Sequence, residues 1–226
     1  MLNVLLSVSM LVTALPVVAQ TPPSVAERSA YSGLFAAALR DDPALVGRLA
    51  ADGRTANARD TRGRTPLHVA AHAKSRAALE ALVRAGADPN ALDDDRYDIV
   101  TIAAVADDVA TLETALAMGG SPRNITSRYD GTALIAAAHL GHADVVRTLI
   151  RAGAPLDHVN NLGWTALIES IVLGDGGSRH TATLKALIDG GADVNLADRS
   201  GATPLTLARR RGFADMVALL QRAGAH

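Results

Sequence analysis

The feature of the sequence that most constrains its fold is an internal repeat of about 33 residues. Similar segments open at Ser32, Thr65, Asp98, Thr132, Thr165 and Thr203, and from Thr65 onward the openings are 33, 34, 33 and 38 residues apart. Self-similarity at such a period is typical of chains that stack one small structural unit on the next. The sequence therefore predicts an array of six units in which each unit buries its apolar face against its neighbours.

Each repeat has the pattern of two short helices. Threonine or aspartate at the opening position is a helix N-cap, and Asp98 is expected to cap as well as threonine does. Paired alanines such as Ala70 and Ala71 follow and let neighbouring first helices approach closely. A second apolar stretch at helical spacing, as in 145–150, leads to a glycine that is expected to end the helix in a left-handed conformation. These glycines are Gly53, Gly86, Gly119, Gly153, Gly191 and Gly224.

The segment TPLHVAA, which opens at Thr65, and the endings AGADPNALD and GGADVNLAD resemble the ankyrin repeat. The resemblance covers residues 31–226. It implies an all-α fold, an ankyrin-repeat solenoid of about six helix–turn–helix units with short hairpin loops. The units are predicted at 31–62, 63–95, 96–129, 130–162, 163–200 and 201–226.

The N-terminal segment predicts export. Residues 1–19 are apolar and end in Val17-Val18-Ala19, small residues that suit cleavage after Ala19 of a signal peptide. The alternative is an uncleaved membrane anchor, because the apolar run approaches the length that spans a bilayer. Residues 20–30 are predicted to be a linker, and the chain resembles small exported bacterial ankyrin proteins of the periplasm.

Composition excludes several classes of function. The formal net charge is −1, so no basic excess attracts a nucleic acid. There are no cysteines, which removes disulfides, thiolate metal sites and cysteine nucleophiles. The pairs His68 with His72 and His139 with His142 have helical spacing, but no third metal ligand is apparent. No catalytic motif is present, so neither an enzyme nor a cofactor or metal site is predicted.

The resemblance implies binding of a protein partner on a concave surface made of hairpin tips and first helices. Aromatic and arginine side chains at such tips match the composition of binding hot spots. Trp164, the only tryptophan, is the leading candidate, although an aromatic residue at a tip also serves to cover the next repeat. The predicted partner-binding residues are Arg62, Arg64, Arg96, Tyr97, Arg128, Tyr129, Leu162, Trp164, Arg199 and Arg210.

The fifth repeat is irregular. It has five extra residues, placed at or near 173–178, and Glu169 occupies a position that is apolar in other repeats. A carboxylate at a packed position needs a partner, and Arg179 and the amides of the glycine loop are predicted to supply it. We expect Glu169, Asp175, Arg179 and His180 to form a polar cluster beneath Trp164, which either braces the long loop or binds a ligand or partner.

Three functions remain open from the sequence. The first is a monomeric, non-catalytic interaction module in the bacterial envelope, which contacts the membrane only if residues 1–19 are retained. The second is a small-ligand or sensor protein that uses the polar cluster of the fifth repeat. The third is a dedicated immunity or inhibitor protein with a single partner.

Overall fold

The computed structural model describes residues 20–51 and 56–226. Within those ranges the only extended pairing is an isolated antiparallel bridge between Thr126 and Gly131, and the rest of the regular structure is helical. The helices are α1 (Val25–Ala30), α2 (Gly33–Leu39), α3 (Pro43–Leu49), α4 (Pro66–Ala73), α5 (Arg76–Arg84), α6 (Ile99–Val105), α7 (Val109–Ala117), α8 (Ala133–Leu140), α9 (Ala143–Arg151), α10 (Ala166–Val172), α11 (Ser178–Asp189), α12 (Pro204–Arg211) and α13 (Ala214–Arg222).

Helices α2 to α13 form six antiparallel pairs that stack in chain order. The first helices, α2, α4, α6, α8, α10 and α12, pack in one row, and the second helices pack in another. The alanine pairs lie between neighbouring first helices and are fully buried, as Ala70, Ala103 and Ala137 show. The predicted all-α solenoid of six helix–turn–helix units is confirmed.

Capping side chains start the first helices where the sequence predicts. The Asp98 carboxylate accepts a hydrogen bond of 2.8 Å from the backbone N–H of Thr101, so aspartate caps here as threonine does elsewhere. The hydroxyls of Thr132 and Thr165 accept the equivalent bonds from Ile135 and Ile168. These bonds satisfy amides that have no partner inside the helix.

Glycines and asparagines organise the connections between repeats. Gly86, like the glycines that follow the later second helices, has a positive φ, of 91°, which a glycine adopts without strain. The Asn90 amide accepts from the backbone of Ser121 and donates to the carbonyl of Gly119, so it ties its own repeat to the next one. Gly53, predicted to end the first unit, lies outside the described residues.

The N-terminal segment departs from the predicted linker. Residues 25–30 form helix α1, which begins with a capping box between Ser24 and Glu27. The Tyr31 hydroxyl donates a hydrogen bond of 2.7 Å to Asp60, which anchors the end of this segment to the hairpin tip before the second repeat. Residues 1–19, with the predicted signal peptide or anchor, lie outside the described residues.

The five extra residues of the fifth repeat are divided between a loop and a helix. Helix α10 ends at Val172 and α11 begins at Ser178, so residues 173–177 form the loop. Helix α11 has 12 residues, whereas α5, α7, α9 and α13 have nine each. No helix in the described part of the chain is long and apolar enough to cross a membrane.

Candidate binding groove on the concave face

The third to fifth repeats enclose a groove of about 490 Å³ on the concave face of the array. Its walls are the hairpin tips on one side and the exposed faces of α6, α8 and α10 on the other. Most of the lining surface is apolar, and the large aromatic and aliphatic residues that contribute to it are Tyr97, Val105, Tyr129, Ile135, Leu140, Leu162, Trp164 and Leu173. Polar groups, among them Asn160, His139 and Glu169, lie at its floor.

Two positions of the hairpin tip supply the aromatic side chains of the groove. Tyr97 and Trp164 each directly precede a repeat opening. Tyr129 and Leu162 each lie three residues before one. All four line the groove, and Leu162 keeps 41% of its surface exposed. The structure therefore brings together four of the residues that the sequence predicts for partner binding.

The exposed arginines of the predicted set lie outside the groove. Arg62 and Arg128 each approach Asp95 at 3.8 Å, and Arg96 pairs with Asp130 at 3.0 Å, so neighbouring tips are joined by ion pairs. Exposed pairs of this kind contribute about 0–1 kcal/mol each. Arg199 and Arg210 are exposed but do not line the groove, and a role of these arginines in binding stays a prediction.

The prediction that Arg64 is an exposed tip residue is wrong. Arg64 has the same place in its repeat as Tyr97 and Trp164, but only 1% of its surface is exposed. Its guanidinium pairs with Glu27 and, at 2.8 Å, with Asp60. Hydrogen bonds from Ser24, assisted by Arg64, lower the pKa of Glu27, and at Asp60 burial is outweighed by the hydrogen bonds from Tyr31, Arg62 and Arg64, which lower the pKa as well. The segment that contains α1 lies over this tip, so Arg64 is committed to the chain's own N-terminal region.

Glu169 is held by residues other than those predicted. It is 5% exposed, and its carboxylate accepts a hydrogen bond of 2.8 Å from the Asn160 amide and lies 3.3 Å from Nδ1 of His139. The Asn160 carbonyl oxygen in turn accepts the backbone N–H groups of Leu162 and Trp164. Glu169 thus fixes the tip that presents Trp164 to the groove.

The predicted polar cluster is separated into three parts. Glu169 lies in the groove. Asp175, in the loop 173–177, pairs instead with His180 of α11 at 2.8 Å. The backbone N–H of Gly177 and then His180 lower the pKa of Asp175. The second ring nitrogen of His180 lies 2.9 Å from the His139 carbonyl oxygen, which joins the loop to the end of α8. Arg179 turns away and approaches Asp107 at 3.5 Å.

One histidine of each predicted pair, His68 and His142, links two neighbouring repeats. Nε2 of His68 lies 3.0 Å from the carbonyl oxygen of Tyr97, and Nδ1 of His142 lies 2.9 Å from that of Ala104, so each ring joins two repeats. Burial lowers the pKa of both His68 and His72. Within the described ranges no three histidine, cysteine, aspartate or glutamate residues are placed to hold a metal ion.

Two polar residues of the groove that sequence reasoning missed are Gln20 and Asn160. The sequence does carry a signal for Asn160, because the residue at its place is an aspartate before three other openings, as at Asp60 and Asp93, and a serine, Ser127, before the opening of the fourth repeat. That change coincides with Glu169, nine residues later, which suggests a pair. No pattern in the sequence indicates Gln20, because its position depends on the path that residues 20–30 take across the array.

Comparison with known proteins identifies the family. A model of three copies of the ankyrin repeat matches residues 100–178, and a model of a single ankyrin repeat matches residues 62–94. The crystal structure of an ankyrin repeat domain from Acinetobacter baumannii is 43% identical, with a TM-score of 0.79, over 85% of this chain and 98% of that one. The chain belongs to the ankyrin-repeat family, whose members are generally protein-interaction modules and typically not catalysts.

Two further matches are weaker. One covers a short part of the chain, and the other shows the fold alone. The chain is 49% identical over 55 residues to the ankyrin repeat protein YahD of Escherichia coli strain K12, a match that spans 24% of this chain and only 27% of that protein. It also shares its fold with a chain in the structure of the predatory endopeptidase Bd0816 from Bdellovibrio bacteriovorus in complex with immunity protein Bd3460. That match has 24% identity and a TM-score of 0.69, over 85% of this chain and 98% of the other.

Proposed function

We propose that this protein is a non-catalytic interaction module that holds an extended, mainly apolar segment of a partner protein in the groove of its third to fifth repeats. The observation that carries the proposal is the convergence of Tyr97, Tyr129, Leu162 and Trp164 on one groove. Aromatic residues clustered at the centre of a concave surface are the usual anchors of protein interfaces. Stacking contacts occupy the other faces of the first helices, so on those helices this surface is open to a partner.

Glu169 adds a polar requirement to this apolar groove. An ionised carboxylate has about four lone-pair sites, and Asn160 and His139 engage one site on each oxygen. A partner segment that brings an N–H donor to Glu169 would complete its hydrogen bonding away from water. The partner chemistry that fits is therefore a chain segment with apolar side chains and one hydrogen-bond donor between them.

The proposal includes export to the bacterial envelope. Its support is the apolar sequence of residues 1–19, which ends in small residues before Gln20. In this proposal the segment is removed after Ala19, the folded array is a monomer in the periplasm, and its partner is another envelope protein. An anchored form would place the same groove at the membrane surface.

Site-specific photocrosslinking in living cells tests the proposal. A photoreactive amino acid at Leu162, in the groove, should trap one partner protein, whereas the same group at Ala110, exposed on the second helix α7, should trap none. The partner must be lost when Trp164→Ala is added while the protein remains folded by circular dichroism. Equal capture at both positions, or capture that survives Trp164→Ala, would refute a groove-bound partner.

A second candidate is binding of a small molecule in the same groove. A volume of about 490 Å³ lies within the range of sites that hold drug-sized ligands, and Glu169 and His139 would orient the bound molecule. A ligand that binds only the folded state raises the melting temperature. A stabilising metabolite whose effect disappears in Glu169→Gln would favour this candidate over a partner protein.

A third candidate is a dedicated immunity or inhibitor protein. The fold shared with a chain of the endopeptidase–immunity protein complex favours it, because an array of this kind occurs in an assembly with an enzyme. The same photocrosslink separates this candidate from a general adaptor. Trapping of a single enzyme, whose activity the purified protein abolishes, would support an inhibitor, whereas trapping of several non-enzymatic proteins would exclude it.

A further inference from the structure

The charge of the groove is not balanced by its own lining. Among the described residues that line it, Glu169 is the only carboxylate, and none is a lysine or an arginine. The arginines of the neighbouring hairpin tips pair instead with Asp95 and Asp130. The groove therefore presents a buried negative charge to whatever covers it.

The side chains that hold Glu169 leave hydrogen-bond acceptors at the floor of the groove. An ionised carboxylate only accepts, so His139 donates to it from Nδ1, 3.3 Å away, and in the neutral ring Nε2 remains an acceptor. That Nε2 has no hydrogen-bond partner in the described part of the chain. Each carboxylate oxygen also keeps a lone pair, because Asn160 and His139 supply one donor apiece. A ligand group with several N–H donors therefore fits this floor.

Aromatic side chains near Glu169 favour a cation as that group. The Asn160 side chain donates to Glu169 and accepts from the backbone N–H of Trp164, so a single amide separates the carboxylate from the tryptophan. Tyr97 and Tyr129 line the same groove. The face of an aromatic ring attracts an ammonium or guanidinium group, most strongly where water is excluded. A lysine or arginine can in addition pack its aliphatic stem along the apolar lining.

We propose that the partner segment places one lysine or arginine side chain on Glu169, between apolar residues that fill the rest of the groove. This inference rests on the proposed function and narrows its hydrogen-bond donor to a cation. When the segment covers the groove, Glu169 loses its remaining contact with water, and a cation compensates the buried charge, whereas a neutral donor does not. An acidic residue at the same place would bring two negative charges together, so acidic segments are rejected.

Selection from a library of short random peptides displayed on phage tests the chemistry of the occupant. Peptides selected by the natural protein should share one lysine or arginine flanked by apolar residues. Glu169→Gln, folded by circular dichroism, should lose this preference for a cation. Glu113→Gln, the same change on the exposed side of the second helix α7, is the matched control and should keep it. Selected peptides without a cation, an equal preference in Glu169→Gln, or no selected peptide at all would overturn the proposal.

Fluorescence of Trp164, the only tryptophan, measures the pairing itself. In a selected peptide, norleucine in place of the lysine or arginine keeps an aliphatic chain and removes the charge. This change should weaken binding to the natural protein by at least about 30-fold and binding to Glu169→Gln by less than about 3-fold. Equal losses in the two proteins would overturn the pairing.

The outcomes for this inference and for the proposed function are separable. A failure to capture a partner protein in cells would contradict the proposed function and leave the cation preference of the groove standing. A captured partner whose groove-bound segment contains no lysine or arginine would overturn this inference alone.

Discussion

At the scale of single residues, the position five residues before a repeat opening organises the hairpin tip, with two accepted N–H groups in every tip from Asp60 to Asp198 except that of Ser127, which accepts one, from Tyr129. At this position Asp60, Asp93 and Asp198 each accept two backbone N–H groups from the residues that follow. Asn160 accepts two in the same way, but its amide also donates to Glu169. The asparagine therefore allows a buried glutamate that the aspartate of other repeats would repel.

We predict that Asn160→Asp destabilises the protein by about 1–3 kcal/mol, because two carboxylates would then meet where an amide now donates. Adding Glu169→Gln should restore much of the loss, since its amide can donate to the new aspartate. Urea denaturation of the two single variants and the double variant measures the coupling. Additive losses in the double variant would mean that the two side chains do not interact.

A second prediction at this scale concerns His72 on the concave face. Burial lowers its pKa to about 4, with His68 and Arg64 adding repulsion, whereas an unfolded chain has a value near 6.5. The neutral ring therefore stabilises the fold above pH 6.5, and this stability is lost as the pH falls towards 4. Between pH 7 and pH 5 the free energy of unfolding should fall by roughly 1–2 kcal/mol more in the natural protein than in His72→Gln. Equal pH dependence of the two proteins in urea denaturation would contradict the prediction.

At the scale of elements, the N-terminal segment divides the concave face. Arg64, Tyr97 and Trp164 occupy equivalent tip positions, yet α1 and its flanking residues cover the first of them and leave the other two in the open groove. The repeat pattern in the sequence places these residues at equivalent tip positions, but it does not reveal that Arg64 is buried. It contains no information about the path of residues 20–30, whose contacts with Arg64 and Asp60 are tertiary.

The loop of the fifth repeat is the other irregular element, and it gives a prediction about stability. A Cβ atom added at Gly174 would lie 2.2 Å from the Ser170 carbonyl oxygen and 2.8 Å from the His180 ring, so Gly174→Ala should destabilise the protein by about 1–3 kcal/mol. Gly47→Ala in helix α3 is the matched control, because nothing lies within 4 Å of its added Cβ. That variant should be neutral or more stable by up to about 1 kcal/mol. Equal thermal stability of the two variants would show that the loop is not packed as described.

At the scale of the whole molecule, the structural features that recur in every repeat could be predicted from the sequence. Alanine pairs, capping residues and terminal glycines recur at fixed spacing, and the stacked helices follow from them. The partners of Glu169 could not be predicted so directly, because Arg179 and the glycine loop are near it in the repeat, whereas Asn160 reaches it from the preceding hairpin tip. The number of extra residues in the fifth repeat likewise does not indicate how many of them extend the loop and how many lengthen helix α11.

The central claim is that the array binds its partner in the groove of the third to fifth repeats and not along the exposed arginines. The most direct measurement is the affinity of the photocrosslinked partner for the mature protein and its variants. Trp164→Ala should weaken binding by at least about 2 kcal/mol, roughly 30-fold, as expected for an interface anchor, whereas Arg199→Ala and Arg210→Ala should change it by less than about 1 kcal/mol. A large loss with either arginine variant and none with Trp164→Ala would contradict the claim.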